Sequence, residues 1–254
     1  MSTLLSVKDL SIRIKQRSLV TNATFCVEKG DAVLLSGQNG IGKSTILNSI
    51  MGLRNSEETI TGVIDCNGFS NILMLNRNDM QKYRSTIAYV QQKDLYAEMG
   101  SVQVRDIISE SGEAFGNTQM SCAEVNDLID EWIPRREDNS RVFNAKSKPA
   151  KFSGGEQRLL SILSVIATRS SANLFLIDEP LNNLDFVNAR NISNLINKVR
   201  MKNPNMGLLM VSHCRIFPFI NREIKVTPEG ITELSTAYKC HSCFGEPDEQ
   251  GFYK

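Results

Sequence analysis

The sequence carries almost no excess of charge: 29 lysines and arginines against 28 acidic residues leave a net +1. Proteins that grip nucleic acid or an anionic membrane by electrostatics need a basic surplus, so direct nucleic-acid binding is not expected. Long apolar runs are also missing. The longest, around residues 159–167, is broken by serines and falls far short of the ~20 residues a membrane span requires. The first residues, MSTLLSVKDLSIRIK, lack the basic segment and apolar stretch of a signal peptide. Six cysteines are mostly scattered and form no secreted disulfide framework. At 254 residues the chain is long enough to bury a sizeable core without covalent staples. No internal repeat is visible. These absences lead to the expectation of a cytoplasmic protein with reduced thiols, which reaches a membrane only through a partner.

What is present reads as one α/β domain, with room for an inserted subdomain. Near the start Leu10, Ile12 and Ile14 alternate with Ser11 and Arg13, and Ala23, Phe25 and Val27 alternate with Thr24, Cys26 and Glu28. A period of two marks half-buried antiparallel strands. Short uninterrupted apolar runs follow at residues 32–36, 87–90, 174–177 and 208–211. Separated by helical stretches, they point to a parallel sheet covered on both faces. From about Lys93 to Phe152 the pattern turns helical. Ser121 and Glu124 have capping-box spacing ahead of Val125, Leu128, Ile129, Trp132 and Ile133, and Pro134 ends that helix. Residues 135–151 read as a solvated connection, and the last twenty or so as an extended, loosely packed tail.

Two segments carry chemistry. GQNGIGKST, residues 37–45, follows a buried run and leads into the helical TILNSIM. Strand, glycine-rich loop and helix in that order make a phosphate cradle: glycines let the backbone wrap, so successive N–H groups face phosphate oxygens. The helix start adds roughly half a positive charge at the same point. Gly37, Gln38, Asn39, Gly40, Ile41, Gly42 and Thr45 line the nucleotide, Lys43 reaches the β- and γ-phosphates, and Ser44 ligates Mg²⁺. About 135 residues downstream, NLFLIDEP ends an apolar strand in two carboxylates. Ligands of open parallel sheets collect beyond the strands' carboxyl ends. Asp178 is placed to hold Mg²⁺, directly or through water, and Glu179 to act as general base on the attacking water.

FSGGEQ, residues 152–157, resembles the LSGGQ signature of ATP-binding cassette (ABC) ATPases. In order, GQNGIGKST, YVQQ, SGGEQ, LFLIDEP, NNLD and a late SH resemble that family over about residues 5–230. The resemblance implies a phosphate-loop NTPase core with a mainly parallel sheet, an N-terminal antiparallel β subdomain and an inserted helical subdomain at about residues 93–152. The cassette would occupy residues 1–234, with a tail at 235–254. It also implies ATP and Mg²⁺ as ligands and a head-to-tail dimer, homo- or heteromeric, with a second cassette. In that dimer Ser153, Gly154, Gly155 and Glu156 of one cassette close on the γ-phosphate held by the other. Ser153 and Glu156 have capping-box spacing as well, and both readings can hold at once. By resemblance Gln92 is the Q-loop glutamine contacting Mg²⁺ or the lytic water, and His213 is the switch histidine at the γ-phosphate. Asn183, Leu184 and Asp185 resemble the D-loop.

Several positions depart from the family pattern. No aromatic stands near Ile14, where one commonly stacks on adenine, which leaves aliphatic surface for the base. Gln91 replaces a frequent proline, Leu181 a threonine, and Cys214 an acidic residue, and the helix after the signature lacks its second arginine. None of these removes a catalytic group. The resemblance makes the chain the ATPase subunit of a transporter with a separate membrane subunit; the alternative is a soluble ABC ATPase that remodels or regulates a protein assembly. The tail's Cys240, His241 and Cys243 supply at most half of a zinc site.

Overall fold

A computed structural model describes residues 2–93, 95–98, 100–113, 120–169, 171–182, 184–234 and 245–253. In chain order its strands and helices are β1 (Thr3–Ile14), β2 (Arg17–Glu28), β3 (Ala32–Gly37), α1 (Lys43–Ile50), β4 (Glu58–Cys66), α2 (Arg77–Ser85), β5 (Ile87–Val90), α3 (Val104–Glu113), α4 (Cys122–Trp132), α5 (Gly154–Thr168), β6 (Leu174–Asp178), α6 (Phe186–Lys202), β7 (Gly207–Val211), β8 (Arg222–Thr227) and β9 (Gly230–Glu233). They form two units. One comprises Met1–Tyr89, Ser171–Glu179 and Lys202–His241; the other comprises Val90–Ser170, Pro180–Met201 and Ser242–Lys254.

The first unit holds both sheets. The expected antiparallel pair forms, with Val7 opposite Phe25, and a third strand, β4, adds to the far side of β1. Nothing in ETITGVIDC announced β4, because only Ile64 and Cys66 of it are buried. Gly62 adopts φ 113°, and a Cβ there would stand 2.7 Å from the Asp9 carbonyl. Only glycine fits against the irregular stretch of β1, where Asp9 itself has φ 52°. The second sheet runs β5-β6-β7-β3-β8-β9. Its β6–β7, β7–β3 and β3–β8 pairs are parallel, and β9 returns antiparallel. This is the phosphate-loop NTPase architecture with its antiparallel subdomain. Leu35, Leu176, Leu209 and Val211 of this sheet join Leu5, Val7 and Val27 of the other, with Ile46 and Leu47 of α1, in one buried cluster. Each such side chain contributes about 1.5–3 kcal/mol.

In the second unit α4 begins on the expected capping box. The Ser121 N–H donates to Glu124 Oε2 at 2.7 Å, and the Glu124 N–H donates to Ser121 Oγ at 3.3 Å. The helix stops at Trp132, with Ile133 extended at φ −100°, ψ 127°, the conformation a following proline imposes. This unit also takes in α5, which packs on α3 and α4, and α6. Of the tail expected to be loose, the described residues 245–253 are held against α6. Tyr253 is buried; its N–H donates to Asn194 Oδ1 at 2.9 Å, and Asn194 Nδ2 donates to its carbonyl at 2.7 Å. Asn197 Nδ2 donates to the Gln250 carbonyl at 2.8 Å. Two asparagines on α6 fasten a segment with no apolar periodicity of its own. Cys240, His241 and Cys243 lie outside the described residues. Among the described residues no helix is long and apolar enough to cross a membrane.

Candidate functional site

The loop between β3 and α1 is shaped by three glycines. Gly37, Gly40 and Gly42 have φ 142°, 72° and 105°, conformations that L side chains rarely adopt. At Gly37 a Cβ would also meet the Val226 carbonyl at 2.5 Å. Gly42 is the N-cap of α1, which has no side-chain cap and no acidic residue in its first turn. The helix therefore presents its free N–H groups to an external anion rather than satisfying them internally. Gln38, Asn39 and Gly40 are exposed, whereas Lys43 is buried. Lys43 Nζ donates to the Gly37 and Gln38 carbonyls, each at 3.0 Å, and so ties the loop to its own start. Burial pulls its ammonium below the ordinary lysine range, and the charges of Glu179 and Asp178 oppose that shift.

The carboxylates follow from the sheet. Asp178, the last residue of β6, is 3% exposed, and its Oδ1 accepts a 3.0 Å hydrogen bond from Ser44 Oγ. Glu179 leaves the strand in a left-handed conformation, φ 46°, which costs a non-glycine residue about 1–3 kcal/mol. Two contacts offset that strain. The Glu179 N–H donates to the Val211 carbonyl at 2.9 Å, and Oε1 stands 3.0 Å from His213 Nε2 just beyond β7. The bend turns Glu179 away from the strand direction and toward His213. Ser44, Asp178, Glu179, His213 and Lys43 thus belong to one unit and sit at the carboxyl ends of β3, β6 and β7.

Such an arrangement suits a polyphosphate. Free helix N–H groups and an ammonium meet the charge, while a hydroxyl and a carboxylate offer two hard oxygens to Mg²⁺. Among the described residues no cluster of three His, Cys, Asp or Glu can hold a metal. An ion bound through Ser44 and Asp178 leans chiefly on phosphate oxygens, as Mg²⁺ does with nucleotides.

The other expected site residues lie in the second unit. Ser153 is the N-cap of α5 and makes a full capping box: Glu156 N–H to Ser153 Oγ at 3.3 Å, Ser153 N–H to Glu156 Oε2 at 2.9 Å. Glu156 Oε1 also accepts from Arg136 Nη2 at 2.7 Å. Gly154 is open, but a Cβ at Gly155 would stand 2.3 Å from Asn188 Cγ. Beside them lies a cavity of about 570 Å³ lined by Arg136, Ser153, Glu156, Val187, Asn188 and Arg190, among others. Gln92 is exposed just beyond β5. Asp185 caps α6 by accepting from the Asn188 N–H at 2.8 Å; Asn183 lies outside the described residues. Ile14, half-buried at the end of β1, pairs with Arg17 and Glu58. One participant escaped the sequence reading: Arg158, on α5, is buried. A single arginine in a helix carries no signal that distinguishes it from a solvated one.

Residues 20–182 match the family model described as ABC transporter. The chain is 29% identical over 242 residues to an uncharacterized ABC transporter ATP-binding protein of Mycobacterium tuberculosis, covering 88% of this chain and 92% of that one. It is 28% identical over 205 residues to the opaque-specific ABC transporter CDR3 of Candida albicans, covering 80% of this chain but only 13% of that protein's length. The ATP-binding cassette MJ0796, solved as a dimer in a post-hydrolysis state with ADP and Pi, superposes with a TM-score of 0.72 at 20% identity, over 94% of this chain and all of that one.

Proposed function

The chain belongs to the ABC transporter family as an ATP-binding, ATP-hydrolysing cassette, and from that premise we propose that it powers a membrane transporter whose spanning subunit is a separate chain. The cassette is residues 1–234, with its helical subdomain at about 93–152 and a tail at 235–254. The glycine loop, residues 37–45, holds the triphosphate through backbone N–H groups and Lys43. Bound Mg²⁺ would rest on Ser44, Asp178 and Gln92 and neutralise charge on the phosphate oxygens. Glu179 takes the proton of the attacking water, and His213 orients the Glu179 carboxylate and meets the γ-phosphate. Ser153, Gly154 and Gly155 of a second cassette complete the site, with Glu156 fixing their helix start. MJ0796, a cassette solved as a dimer with ADP and Pi, supports a dimer for this chain.

The observation that carries the reading is the Ser44–Asp178 and Glu179–His213 pairing at the carboxyl ends of β3, β6 and β7. A metal-anchoring pair and a base with an orienting partner are what phosphoryl transfer to water requires. ATP closes the dimer and hydrolysis reopens it, each state favouring a different conformation of the membrane subunit. The chain then works at the cytoplasmic face of a membrane through that subunit. Affinity capture of the tagged chain from detergent-solubilised cells tests this. Recovery of a multi-span membrane protein, released or retained according to nucleotide, supports the proposal. Recovery of a soluble assembly alone refutes it in favour of a remodelling or regulatory cassette.

A further inference from the structure

Arg158 lies one turn into α5 and is 3% exposed. A buried guanidinium is costly unless its donors are satisfied, and two of the acceptors here are backbone carbonyls. Nη1 donates to Gln91 at 2.5 Å and Nε to Pro180 at 3.3 Å. Gln91 immediately precedes Gln92, and Pro180 immediately follows Glu179. One side chain therefore grips both segments that leave β5 and β6, neighbours in the sheet, from the helix whose N-cap is Ser153.

We infer that Arg158 is a positioning residue: it holds the backbone next to Gln92 and the backbone next to Glu179 on the signature helix. The inference rests on the roles proposed above for Gln92, Glu179 and Ser153. Neither Gln91 nor Pro180 belongs to the phosphate-holding loop, so releasing them leaves nucleotide binding intact. It changes only the placement of the groups that meet water and metal. Displacements of about 1 Å at such groups cost on the order of a hundredfold in rate. The planar fork matters as well as the charge. Arginine presents separate nitrogens to two carbonyls, whereas a lysine ammonium at the same place serves one well.

Steady-state hydrolysis by the full chain, with ATP KM and melting temperature, separates the alternatives for wild type, Arg158→Met and Arg158→Lys. The expected result for Arg158→Met is a kcat at least about tenfold lower with KM within about twofold of wild type, and for Arg158→Lys an intermediate kcat. A folded Arg158→Met enzyme with wild-type kcat overturns the inference. So does a parallel change of kcat and KM that tracks lost stability in both variants. Should Arg158→Met not fold, Arg158→Lys decides by the same split: reduced kcat at constant KM supports the inference, and unchanged kcat overturns it. A wild-type chain that binds ATP without hydrolysing it overturns the parent reading and this one with it. An active wild type indifferent to Arg158 overturns this one alone.

Discussion

Replacing Gly155 by alanine tests the packing at the start of the signature helix. The added methyl would lie 2.3, 2.4 and 2.6 Å from Cγ, Nδ2 and Oδ1 of Asn188, so the asparagine must leave. Its departure breaks the 2.8 Å bond from Asn188 Nδ2 to Asp185 Oδ2. Overpacking costs about 1–3 kcal/mol and the lost hydrogen bond about 1 kcal/mol. Exchanging glycine for alanine inside a helix returns about 1 kcal/mol. The net loss for Gly155→Ala is therefore about 1–3 kcal/mol. Asn188→Ala alone forfeits only the hydrogen bond, about 1 kcal/mol. Since every clashing atom is beyond Asn188 Cβ, the double variant regains space, and its stability returns to near wild type. Urea unfolding of the four proteins measures the coupling, expected at about 2–4 kcal/mol favourable. Additivity within about 0.5 kcal/mol would refute the packing argument.

Ser44→Ala removes the hydroxyl that Asp178 accepts from. Titrating ATP with and without Mg²⁺ should show a wild-type preference for the magnesium complex that shrinks about tenfold or more in the variant. Glu156→Gln keeps an acceptor for the Ser153 N–H and loses only the ion pair with Arg136, whose side chain is 50% exposed. It should cost under about 1 kcal/mol, whereas Glu156→Ala, which breaks the reciprocal cap, should cost about 1 kcal/mol; thermal unfolding distinguishes them. Burial pushes the Cys66 thiol from its ordinary 9.0 up to about 12, with a Tyr83 hydrogen bond opposing the shift. A raised folded value gives stability that is full below pH 9 and is lost as pH rises toward 12. Between pH 8 and 10 that loss is on the order of 1 kcal/mol. Melting temperature should fall over that interval in the wild type and fall less in Cys66→Ala.

The phosphate loop was legible because its chemistry is local. Consecutive residues supply the turn, the free N–H groups, the lysine and the hydroxyl, flanked by a strand and a helix that show in the hydrophobic pattern. The capping boxes at Ser121 and Ser153 were legible for the same reason. β8 was hidden because its buried Glu223 breaks the apolar run; Arg215, at 2.5 Å from that carboxylate, makes the burial tolerable. The fastening of the C-terminal residues by Asn194 and Asn197 is equally non-local, since asparagines on a helix read as solvated until a backbone arrives to meet them. Glu179 was readable as a carboxylate at a strand end. Its left-handed bend was not, because glutamate adopts that conformation only when surrounding contacts impose it.

The central claim is that Glu179 is the base that activates water. Gln at this position keeps the side-chain shape and a hydrogen bond toward His213 but has no carboxylate to accept a proton. The direct test is hydrolysis by wild type and Glu179→Gln, with the ATP dissociation constant measured on both. The expected result is a kcat lower by about a hundredfold or more with affinity within about twofold. Hydrolysis by Glu179→Gln at the wild-type rate would contradict the account.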